Sequence, residues 1–226
     1  MILAVDLLVF TSIRLDNTLP SMKGRADMTT ISDRLPVVTP VNKTLGPGQG
    51  HWTYEHYAAL PDDGKRYEII NGVLYMTPSP SGSHQNIVGE FFAYLRMYIK
   101  LAGLGQVYMA PFDVELAPGY VVQPDVLVLL NTSLDKYTEK RILGAPDLVI
   151  EVASPSTSTY DRHKKNDAYA YAGVPEYWIV DPVAHTVEVL MLEGGEYQSL
   201  GIFQGKAFLP SKIVPEMNVH VEQFFM

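Results

Sequence analysis

Hydrophobic and polar positions follow two rhythms along this chain, and the changes of rhythm mark its elements. In HWTYEHYAALP (51–61) the apolar residues Trp52, Tyr54, Tyr57, Ala58 and Leu60 suit a short helix that Pro61 ends. KRYEIINGVLYM follows as two β-rich runs divided by Asn71-Gly72. A type I′ hairpin turn selects that pair because both central residues need positive φ. From His84 to Ala102, the apolar positions Ile87, Val88, Phe91, Leu95, Tyr98, Ile99 and Ala102 predict an amphipathic helix closed by Gly103. Strands are predicted at QVYMAPFDVEL (106–116), QPDVLVLL (123–130) and PDLVIEVAS (146–154). The last two are almost continuously apolar, as expected of strands covered on both faces. DRHKKNDAYAYAG (161–173) reads as a second helix, with Asp161 near its start and Gly173 just past its end. EYWIVDP (176–182) returns as a strand, and TVEVLML (186–192) and EYQSLGIF (196–203) form a closing hairpin through Glu193-Gly194-Gly195. This order predicts an α/β fold, with helices packed against a sheet.

Composition sharpens the domain count. A chain of 226 residues, 47% of them apolar, can bury the core of one domain. Residues 28–50 are rich in Thr, Pro and Gly and read as a linker or arm. Residues 1–27 precede a second methionine, Met28, and read as an extension or loose tail, with a leading strand as the alternative. The expected division is an extension over 1–50 and one domain over 51–226. The opening MILAVDLLVF contains Asp6 and lacks both a basic start and a following small-residue cleavage site, unlike a signal peptide. No apolar run approaches the ~20 residues that span a bilayer.

The chain has no cysteine, which excludes disulfides and thiolate metal sites and suits a reducing cytoplasm. The formal net charge of −8 argues against a broad phosphate-gripping surface. A local basic strip of Arg141, Arg162, Lys164 and Lys165 is left, and a solvated helix face accounts for the same residues equally well.

Charges inside apolar runs carry the chemistry. Asp125 opens an otherwise apolar strand, and Glu151 lies within LVIEVAS. A carboxylate in a covered strand is costly unless a cation or hydrogen-bond donors meet it. Either acid alone reads as a satisfied core residue. On neighbouring strands, the two could bracket one oxygen-seeking ion. Lys165 shares a helix face with Ala168, Tyr169 and Ala172. It either snorkels, with its stem buried and its ammonium in water, or points inward toward the acids. Lys164, a hundred degrees around the helix, faces solvent (about 100° per residue). Glu68 reads first as a hairpin surface charge, and His84 first as a packed or capping histidine at its helix start. Asp113 and the aromatic run Glu176-Tyr177-Trp178 read as structural. Ser154-Pro155-Ser156-Thr157-Ser158 reads as a turn, since no G-x-S-x-G elbow accompanies it. No phosphate-cradling loop or dinucleotide fingerprint is present.

The Pro124-Asp125 strand followed by the Glu151 strand resembles the PD-(D/E)XK nuclease pattern. More narrowly, YEIINGVL, QPDVLVL, LVIEVASPST, YDRHKKNDAYAYAGVPEYWIVDP and the His84 helix resemble the bacterial Uma-type family of restriction-endonuclease-like proteins, over roughly residues 51–226. The resemblance implies a restriction-endonuclease-like fold, with a central mixed sheet flanked by helices and an N-terminal helix and hairpin. It implies that Asp125, Glu151 and the backbone carbonyl of Val152 hold Mg²⁺ or Mn²⁺, and that Lys165 orients water or stabilises charge on the phosphorane. Glu68 and His84 are second-rank candidates. DNA is the implied substrate and a homodimer the implied assembly. One departure matters. The superfamily's acid-x-lysine triplet is here Glu151-Val152-Ala153, and the resemblance implies that Lys165 in the following helix returns an ammonium to the same site. That departure, with the acidic charge, leaves two alternatives: a non-catalytic binding or assembly module, or a small-molecule phosphodiesterase.

Overall fold

The computed structural model describes residues 39–41, 46–153 and 161–226, with residues 39, 40, 161 and 162 described by their backbone alone. All of them belong to one unit, Leu35–Met226. The expected extension over residues 1–27 and the turn at Ser154–Ser158 lie outside the described residues.

Twelve strands among these residues form two six-stranded sheets. The first contains, in spatial order, β1 (Thr39–Pro40), β3 (Val73–Thr77), β2 (Arg66–Ile70), β6 (Tyr120–Val122), β5 (Asp113–Ala117) and β8 (Arg141–Leu143). The second runs β12 (Glu196–Gln204), β11 (Thr186–Glu193), β10 (Glu176–Asp181), β9 (Leu148–Val152), β7 (Val126–Leu130) and β4 (Gly105–Met109). Strands β9 and β10 are parallel, whereas β7 runs antiparallel to β9.

The hairpin turn forms as its sequence demands, with Asn71 at φ 52° and Gly72 at φ 68°. Part of the expected linker is instead paired. Thr39 and Pro40 lie opposite Met76 and Tyr75, and the Gln49 side chain donates to the Leu74 carbonyl while accepting its N–H. Gln49 thus satisfies the Leu74 N–H of β3, while the Leu74 carbonyl also accepts the Val41 N–H at 2.9 Å.

The run expected as one strand over 106–116 is divided between the sheets, β4 in one and β5 in the other, with a cis Ala110–Pro111 bond at the crossing. Pro111 has no N–H to continue a ladder, so the crossing falls there. The run over 123–130 likewise yields only β7, because Gln123–Asp125 carries the chain from β6 back to the second sheet. The two crossings touch: the Ala110 N–H donates to the Asp125 carbonyl at 3.1 Å.

Three helices follow the expected positions with adjusted ends. α1 covers only Tyr54–Ala58. α2 (Gly82–Leu95) is capped by Ser81, whose hydroxyl accepts the His84 N–H. It continues as a wider, π-type turn over Arg96–Lys100, in which Leu101 N–H reaches the Arg96 carbonyl. A similar turn over Asp161–Lys165 leads into α3 (Asn166–Ala172), which ends at a left-handed Gly173 as expected.

Strand alternation sorts the core. Val126, Val128, Leu148, Ile150, Trp178 and Val180 face α2 and the C-terminal turn Val221–Phe225, where Phe91 stacks on Phe224 at 4.1 Å. Leu127, Leu129, Val149, Tyr177 and Ile179 face the other way, onto α3 and the first sheet's Ile70, Val114, Val122 and Ile142. No helix among the described residues is long and apolar enough to cross a membrane.

Candidate active site

Asp125 and Glu151 share the inner face with Leu127 and Val149, because side chains two residues apart on a strand point the same way. Val126 pairs with Ile150, so one further step of that register sets Asp125 opposite Glu151. Glu68 comes from the first sheet. It shares a face of β2 with Ile70, which packs in the inter-sheet core. α3 covers the same core with Ala168 and Tyr169, and Lys165 lies one turn before Tyr169.

All of these groups are buried, and donors answer the acids one by one. The Lys165 ammonium lies 2.8 Å from Glu151 Oε1 and 3.0 Å from Glu68 Oε1, bridging strands of the two sheets. Tyr169 donates its hydroxyl to Glu151 Oε1 at 2.6 Å. Glu68 Oε1 also accepts the Gln123 N–H at 2.9 Å. Asp125 Oδ2 accepts the Val152 N–H at 2.9 Å and lies 3.1 Å from His84 Nε2, which reaches it from α2 on the opposite face of the sheet.

Electrostatics follow from these contacts. Burial pushes the Asp125 carboxyl upward, but the His84 hydrogen bond and charge, the Lys165 charge and the Val152 N–H together hold it below the ordinary carboxylate range. Tyr169 is pushed well above the usual phenol range, first by burial and then by the Glu151 and Glu68 charges. It therefore stays protonated and can only donate to Glu151. Within this cluster, Glu68 Oε2 and His84 Nδ1 are buried without a hydrogen-bond partner among the described residues. Among the described residues no three His, Asp or Glu side chains gather as a ready ion cage.

Several sequence readings change here. Lys165 does not snorkel: its amine is buried between two carboxylates. Glu68 is not a surface charge, being 1% exposed. His84 has its backbone capped by Ser81, yet its ring goes to Asp125. The proposed basic strip does not hold together. Arg141 is engaged by Glu115 at 2.7 Å and lies 3.8 Å over the Tyr54 ring, Lys165 is buried and Lys164 is exposed. The Arg162 side chain lies outside the described residues.

Glu176, Tyr177 and Trp178 are core residues, and Asp113 accepts from Tyr57 and Gln123. Sequence reasoning treated Tyr169 as packing and passed over Gln123. The signal for Tyr169 was its place one turn beyond Lys165 on the same helix face.

Two mixed sheets with an inter-sheet acidic cluster under a helix define a restriction-endonuclease-like fold. Residues 54–222 match the family model described as Uma2, "Putative restriction endonuclease", and the chain belongs to that family. Among solved structures, a protein from Anabaena variabilis ATCC 29413, titled a putative nuclease belonging to DUF820, shares the fold with a TM-score of 0.65. It is 21% identical, and the alignment covers 77% of this chain and 97% of that one. No curated protein matches.

Proposed function

We propose that this protein is a Mg²⁺- or Mn²⁺-dependent endonuclease that hydrolyses phosphodiester bonds in DNA. The observation that carries this reading is the convergence of Glu68, Asp125, Glu151 and Lys165 between the two sheets, with His84 behind Asp125. Family membership supports a nucleic-acid substrate.

The donor set fits a hard divalent ion, which prefers oxygen. Asp125 Oδ1 accepts no hydrogen bond among the described residues, and Glu68 Oε2 is buried without one. The Glu68 oxygen is costly to bury unless a cation meets it. Asp125, Glu151 and the Val152 carbonyl would hold the ion, which when bound polarises the phosphate and eases ionisation of the attacking water.

The chain's own residues do the remainder. Lys165 offsets the negative charge that builds on the phosphate in the transition state. Glu68 and Tyr169 fix the acid–ammonium pair in place, and His84 with the Val152 N–H fixes the Asp125 carboxylate. The lysine absent from position 153 is thereby replaced by one whose amine meets Glu151 from the helix side. A homodimer would present one such site to each strand of a duplex.

Supercoiled plasmid incubated with Mn²⁺ or Mg²⁺ should be nicked or linearised by the wild type, and EDTA should stop the reaction. Asp125→Ala should abolish cutting while the thermal unfolding profile keeps its cooperativity. Wild-type protein that cuts no DNA with either ion sinks the reading. The net charge of −8 favours one alternative, a small phosphodiester substrate. Cutting of mononucleotide diesters without plasmid cleavage would select it.

A further inference from the structure

A cavity of about 440 Å³ is walled by Tyr57, Pro61 and Pro111 and edged by Lys65, Arg66 and Gln123, whose backbone N–H binds Glu68 of the acidic cluster. Arg66 is its unusual member. Lys65, Arg141 and Lys165 each have a carboxylate partner, whereas Arg66 is half-buried and has none among the described residues. It is held by a neutral amide instead. Its Nε donates to Gln123 Oε1 at 3.1 Å and one terminal nitrogen to the Gln123 carbonyl at 3.4 Å. The other terminal nitrogen has no protein partner among the described residues.

Gln123 is itself fixed. Its side-chain amide donates to Asp113 Oδ1 at 2.8 Å and to the Tyr57 hydroxyl at 3.0 Å. A carboxylate only accepts, so Asp113 dictates which way the amide faces and leaves Oε1 for Arg66. The same residue's backbone N–H binds Glu68. One residue therefore ties an uncompensated guanidinium to the acidic cluster. Arg66 and Glu68 lie two residues apart on the same face of β2, a separation of roughly 7 Å. Neighbouring phosphates along a nucleic-acid strand are spaced on that scale.

We infer that this pocket is a subsite for the nucleotide adjoining the bond that is cut, with its phosphate on Arg66 and its sugar or base against Tyr57, Pro61 and Pro111. The inference rests on the nuclease reading above. Guanidinium suits a phosphate because its planar fork matches two oxygens. Asp62, which also lines the cavity and accepts the Gly64 N–H, disfavours a second phosphate and leaves the remaining wall to the uncharged part of the nucleotide.

The test measures binding of a fluorescein-labelled single-stranded oligodeoxynucleotide in EDTA, by anisotropy, across a salt series. Arg66→Ala should bind about tenfold more weakly at low salt, and its log–log salt slope should be shallower by about 0.7. Arg66→Lys should recover the slope but only part of the affinity, since charge returns without the fork. Lys100→Ala removes an exposed cation at the far end of the α2 region and should leave both unchanged.

An Arg66→Ala slope equal to wild type, or an equal loss in Lys100→Ala, overturns the subsite. If Arg66→Ala does not fold, Arg66→Lys decides, and affinity equal to wild type in that variant overturns the fork. Wild type that neither binds nor cuts any oligonucleotide defeats the nuclease reading itself. Wild type that binds while Arg66→Ala binds identically defeats the subsite alone.

Discussion

Two buried glutamates on neighbouring parallel strands have been given opposite surroundings. Glu176 opens β10 opposite Leu148, and Glu151 lies near the end of β9 opposite Ile179, so they occupy opposite ends of the same pair. Glu176 is met by neutral donors. Its Oε1 accepts the Trp178 indole N–H at 2.7 Å, and its Oε2 accepts the N–H groups of Lys212 and Ile213 at 2.9 and 3.3 Å. Both oxygens are satisfied, and no ion is needed. Glu151 is met by an ammonium that it shares with a second carboxylate, one of whose oxygens has no partner. Burial alone therefore does not mark a reactive acid. What separates the two ends is whether the charge is closed off by the fold or left in excess.

The largest expected separation is in activity. Glu151→Ala should lower the DNA cleavage rate by at least about a hundredfold, the scale on which a group serving the developing charge acts. Glu176→Ala should leave the rate per folded molecule near wild type. Plasmid cleavage at equal concentrations of folded protein checks both, and a Glu176→Ala rate as low as that of Glu151→Ala would erase the distinction.

Stability sharpens it next. Lys165→Met should cost roughly 3–5 kcal/mol without metal, because it strips Glu68 and Glu151 of their common counter-charge. Glu176→Gln keeps one carbonyl acceptor and turns an amide NH2 toward N–H donors, so it should cost about 1–3 kcal/mol. Urea unfolding in EDTA measures both. The reverse ranking would mean that the lysine bridge does not hold the two sheets together.

How much of this was legible in the sequence depends on what each residue interrupts. Asp125, Glu151 and Lys165 were visible because each breaks an apolar run or an apolar helix face, where a charge needs a reason. Glu68 alternates with apolar neighbours in a hairpin, and that rhythm is identical whether the polar face meets water or another sheet. Its burial depends on a second sheet that no local pattern reveals. The same blindness merged β4 with β5, since strand rhythm continues across Pro111 while the chain changes sheets. Glu176 begins its strand beside Pro175, where a charge is ordinary, so nothing signalled its complete burial. Tyr169 contributes through its hydroxyl, which helix periodicity counts only as an aromatic surface.

The smallest effect reverses sign and bears most directly on the comparison. Glu68 Oε1 already has the Gln123 N–H and Lys165, whereas Oε2 is buried with no donor. In the absence of metal, three carboxylates here share the Lys165 ammonium and His84. Glu68→Gln keeps an acceptor for Gln123 and removes one of those negative charges, with an amide NH2 in place of the unsatisfied oxygen. It should therefore stabilise the metal-free protein by about 1 kcal/mol, raising Tm by roughly 2–4 °C for a chain of this size. Active sites held in this way commonly become more stable as they lose function. Mn²⁺ should raise Tm in the wild type and raise it less in Glu68→Gln, because the variant has less negative charge for the ion to offset. Scanning calorimetry with and without Mn²⁺ reads both shifts. A Glu68→Gln protein that melts lower than wild type in EDTA, as expected of Glu176→Gln, would mean that this acid too is simply closed off by the fold.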